Sequence, residues 1–147
     1  MAKETFKTIS RSVNGLVVES TARNFKITMD EPAGLGGTDT GMSPVEALLC
    51  ALGSCQVIVA RAFAGANGIE INDFWVELEG DLDTDGFLKG VPGVRNGFSA
   101  IRTTMHIKTD ASAEKVRAFA KFIESRCPVG DTLVAGTTIK NAIVIEN

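Results

Sequence analysis

Three cysteines, Cys50, Cys55 and Cys127, are the residues of this 147-residue chain with the most scope for chemistry. A thiolate attacks electrophilic oxygen or sulfur, and a second thiol nearby can trap the oxidised product as a disulfide. Cys50 and Cys55 stand five positions apart, about 140° around a helix, so they share no face and form no easy disulfide. Small cysteines are common in apolar cores, and Cys50 is read as one of these. Cys127 differs, because Pro128 follows it at a helix start, where unpaired N–H groups and the helix dipole favour thiolate. It lies 72 positions beyond Cys55, so any pairing of the two is made by the fold.

Other chemistries fit less well. A single histidine, His106, and no C-x-x-C spacing leave a closed zinc site without near ligands, and His106 reads as a polar-face strand residue. The run Asp81-Leu82-Asp83-Thr84-Asp85-Gly86 copies the start of a calcium loop, but the twelfth position is Pro92 where a bidentate glutamate is required. An acidic hairpin is expected there. The glycine-rich stretch 30–41 lacks both the G-K-[ST] ending of a phosphate loop and a G-x-G-x-x-G pattern, and reads as a lid or crossing segment. No cofactor and no metal are expected.

The elements that must position the thiols follow from periodicity. Residues 5–30 read as three short strands, with Asn14-Gly15 as a hairpin turn and Phe25-Lys26-Ile27-Thr28-Met29 as the third strand. Ser43-Pro44-Val45-Glu46 carries the signals of a helix start: a cap, a proline at the first position and an S-x-x-E capping box. The helix, 45 to about 66, is apolar nearly all round and is expected in the core, too short and too interrupted at Gly53-Ser54 to span a membrane. Strands are expected over 69–82 and 98–108, a helix to Arg126, a short helix from Pro128 and a closing strand over 138–146. Phe87 and Phe98, at the borders of the loop between the long strands, are candidates for lining a substrate pocket. The order is α+β, with long antiparallel strands around a buried central helix in one domain, 1–147.

Composition sets the outer limits. With 44% apolar residues the chain can bury a real core, and a formal charge of -3 advertises no nucleic-acid or anionic-membrane surface. MAKETFKTIS has no apolar signal region, so a reduced, cytoplasmic protein with no membrane or nucleic-acid partner is expected.

Two segments then resemble a known family. Pro44-Val45-Glu46-Ala47-Leu48-Leu49 with Ala51-Leu52-Gly53-Ser54-Cys55, and Cys127-Pro128-Val129-Gly130-Asp131-Thr132-Leu133, are similar to the two cysteine motifs of the OsmC/Ohr family (osmotically inducible and organic hydroperoxide resistance proteins). Asp30-Glu31-Pro32 with Gly36-Gly37 resembles the approach to the first. The resemblance implies an intertwined homodimer and a thiol peroxidase, in which Cys55 attacks an organic hydroperoxide and Cys127 resolves its sulfenic acid, with a dithiol reductant closing the cycle. It also implies an activating arginine held by a glutamate directly after the motif proline. Here that position is Val45. Glu46, nine positions before Cys55, faces the opposite side of the helix and reads as the capping-box residue. Cys55 lies some twelve residues into its helix, beyond reach of the N-terminal dipole, so a cation is needed. Arg23 is the first candidate, with Arg11 and Arg126 as alternatives. The alternative function is a non-catalytic redox sensor or small-molecule binder with the same architecture.

Overall fold

The computed structural model describes residues 2–146. They form two compact units, 2–48 and 49–146. In the first, β1 (Ile9–Asn14), β2 (Val17–Ala22) and β3 (Phe25–Met29) make an antiparallel sheet in the order β1-β2-β3. The first turn contains Gly15 at φ 56°, where a left-handed backbone is needed to match the strand twist. The second is Arg23-Asn24, with Arg23 itself left-handed at φ 55°.

The glycine-rich segment after β3 is organised by one carboxylate. Asp30 is buried and accepts hydrogen bonds from the backbone N–H of Glu31, Thr38 and Thr40 and from both threonine hydroxyls. A Cβ at Gly37 would overlap the Glu31 carbonyl, which is why a glycine stands there. The segment delivers the chain to Ser43, whose hydroxyl accepts from the Glu46 N–H at 3.4 Å, while the Glu46 carboxylate accepts from the Ser43 N–H at 2.7 Å. The capping box is thus complete in both directions. It starts helix α1 (Pro44–Phe63).

In the second unit, β4 (Asp73–Asp81) and β5 (Ala100–Lys108) form an antiparallel ladder, with Phe74, Val76 and Leu78 on the inner face of β4. Gly53 of α1 meets Leu78 so closely that a Cβ there would sit 2.6 Å from Leu78 Cδ1. Below this contact Val59, Ala60 and Ala64 join Ile69, Phe74, Phe119 and Ile123 in the core. Phe119 and Ile123 come from helix α3 (Ala113–Arg126), capped by Ser112, and Cys127 separates it from helix α4 (Pro128–Ala135). The α+β class and antiparallel strands agree with expectation.

Five details differ from it. The loop between β4 and β5 holds a short helix, α2 (Thr84–Lys89), in place of an acidic hairpin. Its three aspartates have separate partners: Asp81 pairs with Arg102, Asp83 caps the helix, and Asp85 pairs with Lys89. The expected strand over 138–146 is irregular backbone, and it pairs with no strand of either described sheet. Helix α1 buries one stripe, Leu52, Gly53, Gln56, Val59 and Ala60, because a two-stranded sheet and two helices cover only one side of it. Ile58 is 67% exposed and Cys50 lies at the surface, so Cys50 is no core residue of this chain. With 20 residues and an 18-residue stretch of mean hydropathy 1.6, α1 is also long and apolar enough to cross a membrane, contrary to the sequence reading. The same length and composition suit a helix whose buried stripe packs on protein, as this one's does.

Candidate functional site

Cys55 and Cys127 meet. Their sulfurs are 2.9 Å apart, the Cys127 thiol donating to the Cys55 sulfur. Cys55 sits mid-helix and packs against the core cluster, half-buried. Cys127 is 1% exposed and stands at the junction of α3 and α4. There it is the N-cap of α4, its sulfur accepting from the Gly130 N–H at 3.3 Å. Proline at the next position suits a first helical turn, and Gly130 brings the second helix close: a Cβ there would lie 3.5 Å from Cys127 Sγ and 3.6 Å from Leu52 Cδ1. Leu52 is one turn before Cys55's neighbour Gln56, so α1 supplies both the thiol and the wall it rests on.

The helix start read for Cys127 is present, yet its effect on the thiol is outweighed. Burial pushes the Cys127 thiol up, and its hydrogen bond to Cys55 adds to this; the N–H groups of Gly130 and Val129 oppose both. Helix-end stabilisation is worth a few tenths to about 1 kcal/mol at an exposed site, less than the desolvation of a thiolate in a nearly closed position. Among the described residues, Cys55 is the one side chain that shifts the Cys127 thiol.

The other candidates lie elsewhere in their elements. Arg23 is in the β2–β3 turn of the first unit, its guanidinium 4.9 Å from the Phe25 ring centroid. Arg11 lies on β1. Arg126, although next to Cys127 in sequence, turns its guanidinium over the Phe122 ring at 5.5 Å. Phe98 lies against Gly80 of β4, and Phe87 is exposed on α2. His106 stacks on Trp75, its cross-strand partner, with ring centroids 4.7 Å apart. Its Nε2 is 3.4 Å from the Glu77 carboxylate, too poorly aligned for a hydrogen bond. Among the described residues no group of three or more His, Cys, Asp or Glu could hold a metal ion. A polar cavity of about 480 Å³ at the start of α3, lined by Glu70, Thr109 and Lys115 among others, contains neither cysteine.

One residue beside the thiols escapes sequence reasoning. Gln56 is buried, and no protein group among the described residues donates to its Oε1. Leaving such an acceptor unpaired costs about 1–3 kcal/mol, so its place in the apolar stripe calls for a reason other than packing. The signal available was a single amide in an otherwise apolar run.

Residues 37–141 match the model of the OsmC-like protein family. The chain belongs to this family. A hydroperoxide reductase of Mycoplasma genitalium is 26% identical over 84% of this chain and 82% of its own. A hydroperoxide reductase of Mycoplasma pneumoniae is 29% identical over 79% and 77%. In three dimensions an OsmC-like protein from Mycoplasma pneumoniae superposes with a TM-score of 0.79, at 24% identity over 90% of this chain and 89% of that one. An organic hydroperoxide resistance protein OsmC from Legionella pneumophila gives 0.65, at 18% identity over 91% and 92%. These superpositions establish the OsmC-like fold.

Proposed function

We propose that this OsmC-like protein is a thiol-dependent peroxidase that reduces organic hydroperoxides, acting as one domain and as a homodimer in the cytoplasm. The 2.9 Å approach of the Cys55 and Cys127 sulfurs carries the reading. A sulfenic acid formed on either would meet the other thiol without rearrangement, which favours disulfide formation over further oxidation. The hydroperoxide reductases of the two Mycoplasma species support peroxide as the substrate class.

Cys55 is the attacking residue in this reading. Its thiolate displaces alkoxide from the terminal peroxide oxygen: an S–O bond forms, the O–O bond breaks, and the alkoxide takes a proton to leave as alcohol. The Cys127 sulfur then attacks the Cys55 sulfenic acid, forming the S–S bond and releasing water. A dithiol returns both thiols, supplying two electrons. Arg23 is the candidate cation for Cys55, and an apolar surround favours alkyl over hydrogen peroxide. One equivalent of cumene hydroperoxide added to reduced protein should consume the Cys55 and Cys127 thiols together. An unchanged thiol count ends the peroxidase reading.

Val45 in place of the acid after Pro44 favours a second reading, a redox sensor without turnover. Slow thiol loss that does not cycle under dithiothreitol supports it, and fast saturable turnover removes it.

A further inference from the structure

We propose that the Cys55–Cys127 pair is a redox switch on helix α4: in the reduced protein the Cys127 sulfur caps α4, and oxidation to the disulfide takes the cap away and loosens the helix. The switch needs the disulfide and not a peroxide to make it, so it goes beyond the peroxidase reading.

Helix α4 is attached through its first turn. Val129 and Gly130 are half-buried, and every residue from Asp131 to Ala135 is exposed. Gly130 rests against Leu52 of α1, and past Ala135 the backbone is irregular. A helix of eight residues is marginal by itself, because the cost of its first turn is set against few bonds. Its cap therefore counts for more than the cap of the longer, packed α3. In α1, α2 and α3 the cap is an oxygen, from Ser43, Asp83 and Ser112. In α4 it is a sulfur: Cys127 Sγ accepts from the Gly130 N–H at 3.3 Å, and the Val129 N–H also bears on it. Of the four caps, this is the one that a redox reaction can change.

The same sulfur is 2.9 Å from Cys55 Sγ. A disulfide bond is about 2.05 Å long, so the two must close by about 0.9 Å. Cys55 is held mid-helix against the core, so Cys127, at the junction of two helices, makes the larger part of the move. Its quality as an acceptor falls as well. The reduced pair can carry a negative charge that strengthens the bonds from the α4 N–H groups, whereas a disulfide carries none and accepts weakly. Meanwhile the new bond closes a loop spanning 72 positions, which stabilises the remainder of the unit against unfolding. Oxidation thus acts in opposite directions on the core and on α4, unlike a general change in stability.

Hydrogen exchange read by mass spectrometry tests this on the whole chain, in a Cys50→Ser background that removes the exposed thiol. Diamide serves as oxidant: both S–H bonds break, the S–S bond forms, and the diamide N=N bond takes up the two electrons and two protons. Peptides covering Asp131–Ala135 should exchange about fivefold faster in the disulfide form than in the reduced one, the worth of one helix cap. Peptides covering Val59–Ala64 and Phe119–Ile123 should exchange no faster. Cys127→Ser keeps an oxygen cap and cannot form the disulfide, so its α4 should stay within about twofold of the reduced parent, with or without diamide. Equal or slower exchange of α4 in the oxidised parent overturns the inference. So does faster exchange of α4 and core together, a serine variant that exchanges like the oxidised parent, or a pair that diamide does not join. A protein that passes here but keeps its thiols under cumene hydroperoxide loses the peroxidase reading alone.

Discussion

Asp30 is buried and charged, and its five donors reconcile the two facts. Hydrogen bonding holds its carboxyl well below the usual carboxylate range, the Thr38 hydroxyl contributing most, burial opposing it, and the N–H groups of Glu31, Thr40 and Thr38 completing the set. A folded pKa below the unfolded one, about 3.9, means that this stabilisation is full above that value and is lost progressively as pH falls toward the folded one. Asp30→Asn should therefore unfold at lower urea than the parent at pH 7, with the gap narrowing between pH 4 and pH 2. A gap that stays constant with pH would show that the charge is not what matters. None of this is visible in the sequence, because four of the five donors are eight or ten positions away and meet the carboxylate only once the loop has closed. The cysteine pair has the same property. Spacing alone says nothing about Cys55 and Cys127, and their meeting was expected from the family likeness of their motifs.

Elements whose signals are local were legible. The start of α1 is written in four consecutive residues, Ser43 to Glu46, and both reciprocal bonds form as the S-x-x-E pattern requires. This geometry assigns Glu46 to the helix start. Glu46→Gln preserves an oxygen acceptor for the Ser43 N–H, so peroxide-dependent thiol oxidation should stay within twofold of the parent. Glu46→Ala should cost about 1 kcal/mol in unfolding free energy. A tenfold loss of rate in Glu46→Gln would instead make this carboxylate a partner of the thiols. The Cys127-Pro128 break was legible for the same reason, since cap, proline and sulfur are adjacent in the chain. Helix α2 was missed because its cap, Asp83, was read as one of three calcium-like carboxylates, and each of the three bonds a different group. The segment 138–146 was misread for the opposite reason: its pattern states what a strand would need and not whether an edge is there to meet it.

At the scale of the whole molecule, that segment and α1 raise one question. Ile139, Ile143, Val144 and Ile145 are between 75% and 90% exposed, and α1 leaves Ile58 and Cys50 outside its buried stripe. The β4–β5 ladder has two strands, so among the described residues both its outer edges are unpaired. Apolar residues in this number on one chain mark an interaction surface, and an open sheet edge is a template for an added strand. In the homodimer proposed above, a second copy of the chain would supply both. Light scattering should then give about twice the 15.6 kDa of one chain at micromolar concentration. Ile143→Asp with Ile145→Asp places two charges on one face of the added strand and should shift the protein toward monomer, because a carboxylate cannot be buried unpaired without a cost of several kcal/mol. The Cys55–Cys127 contact lies within a single chain, so the dissociated variant should keep both sulfurs in reach and still form the disulfide with cumene hydroperoxide. A parent that is monomeric at these concentrations would remove the dimer, and a doubly substituted variant that remains dimeric would move the interface away from 138–146.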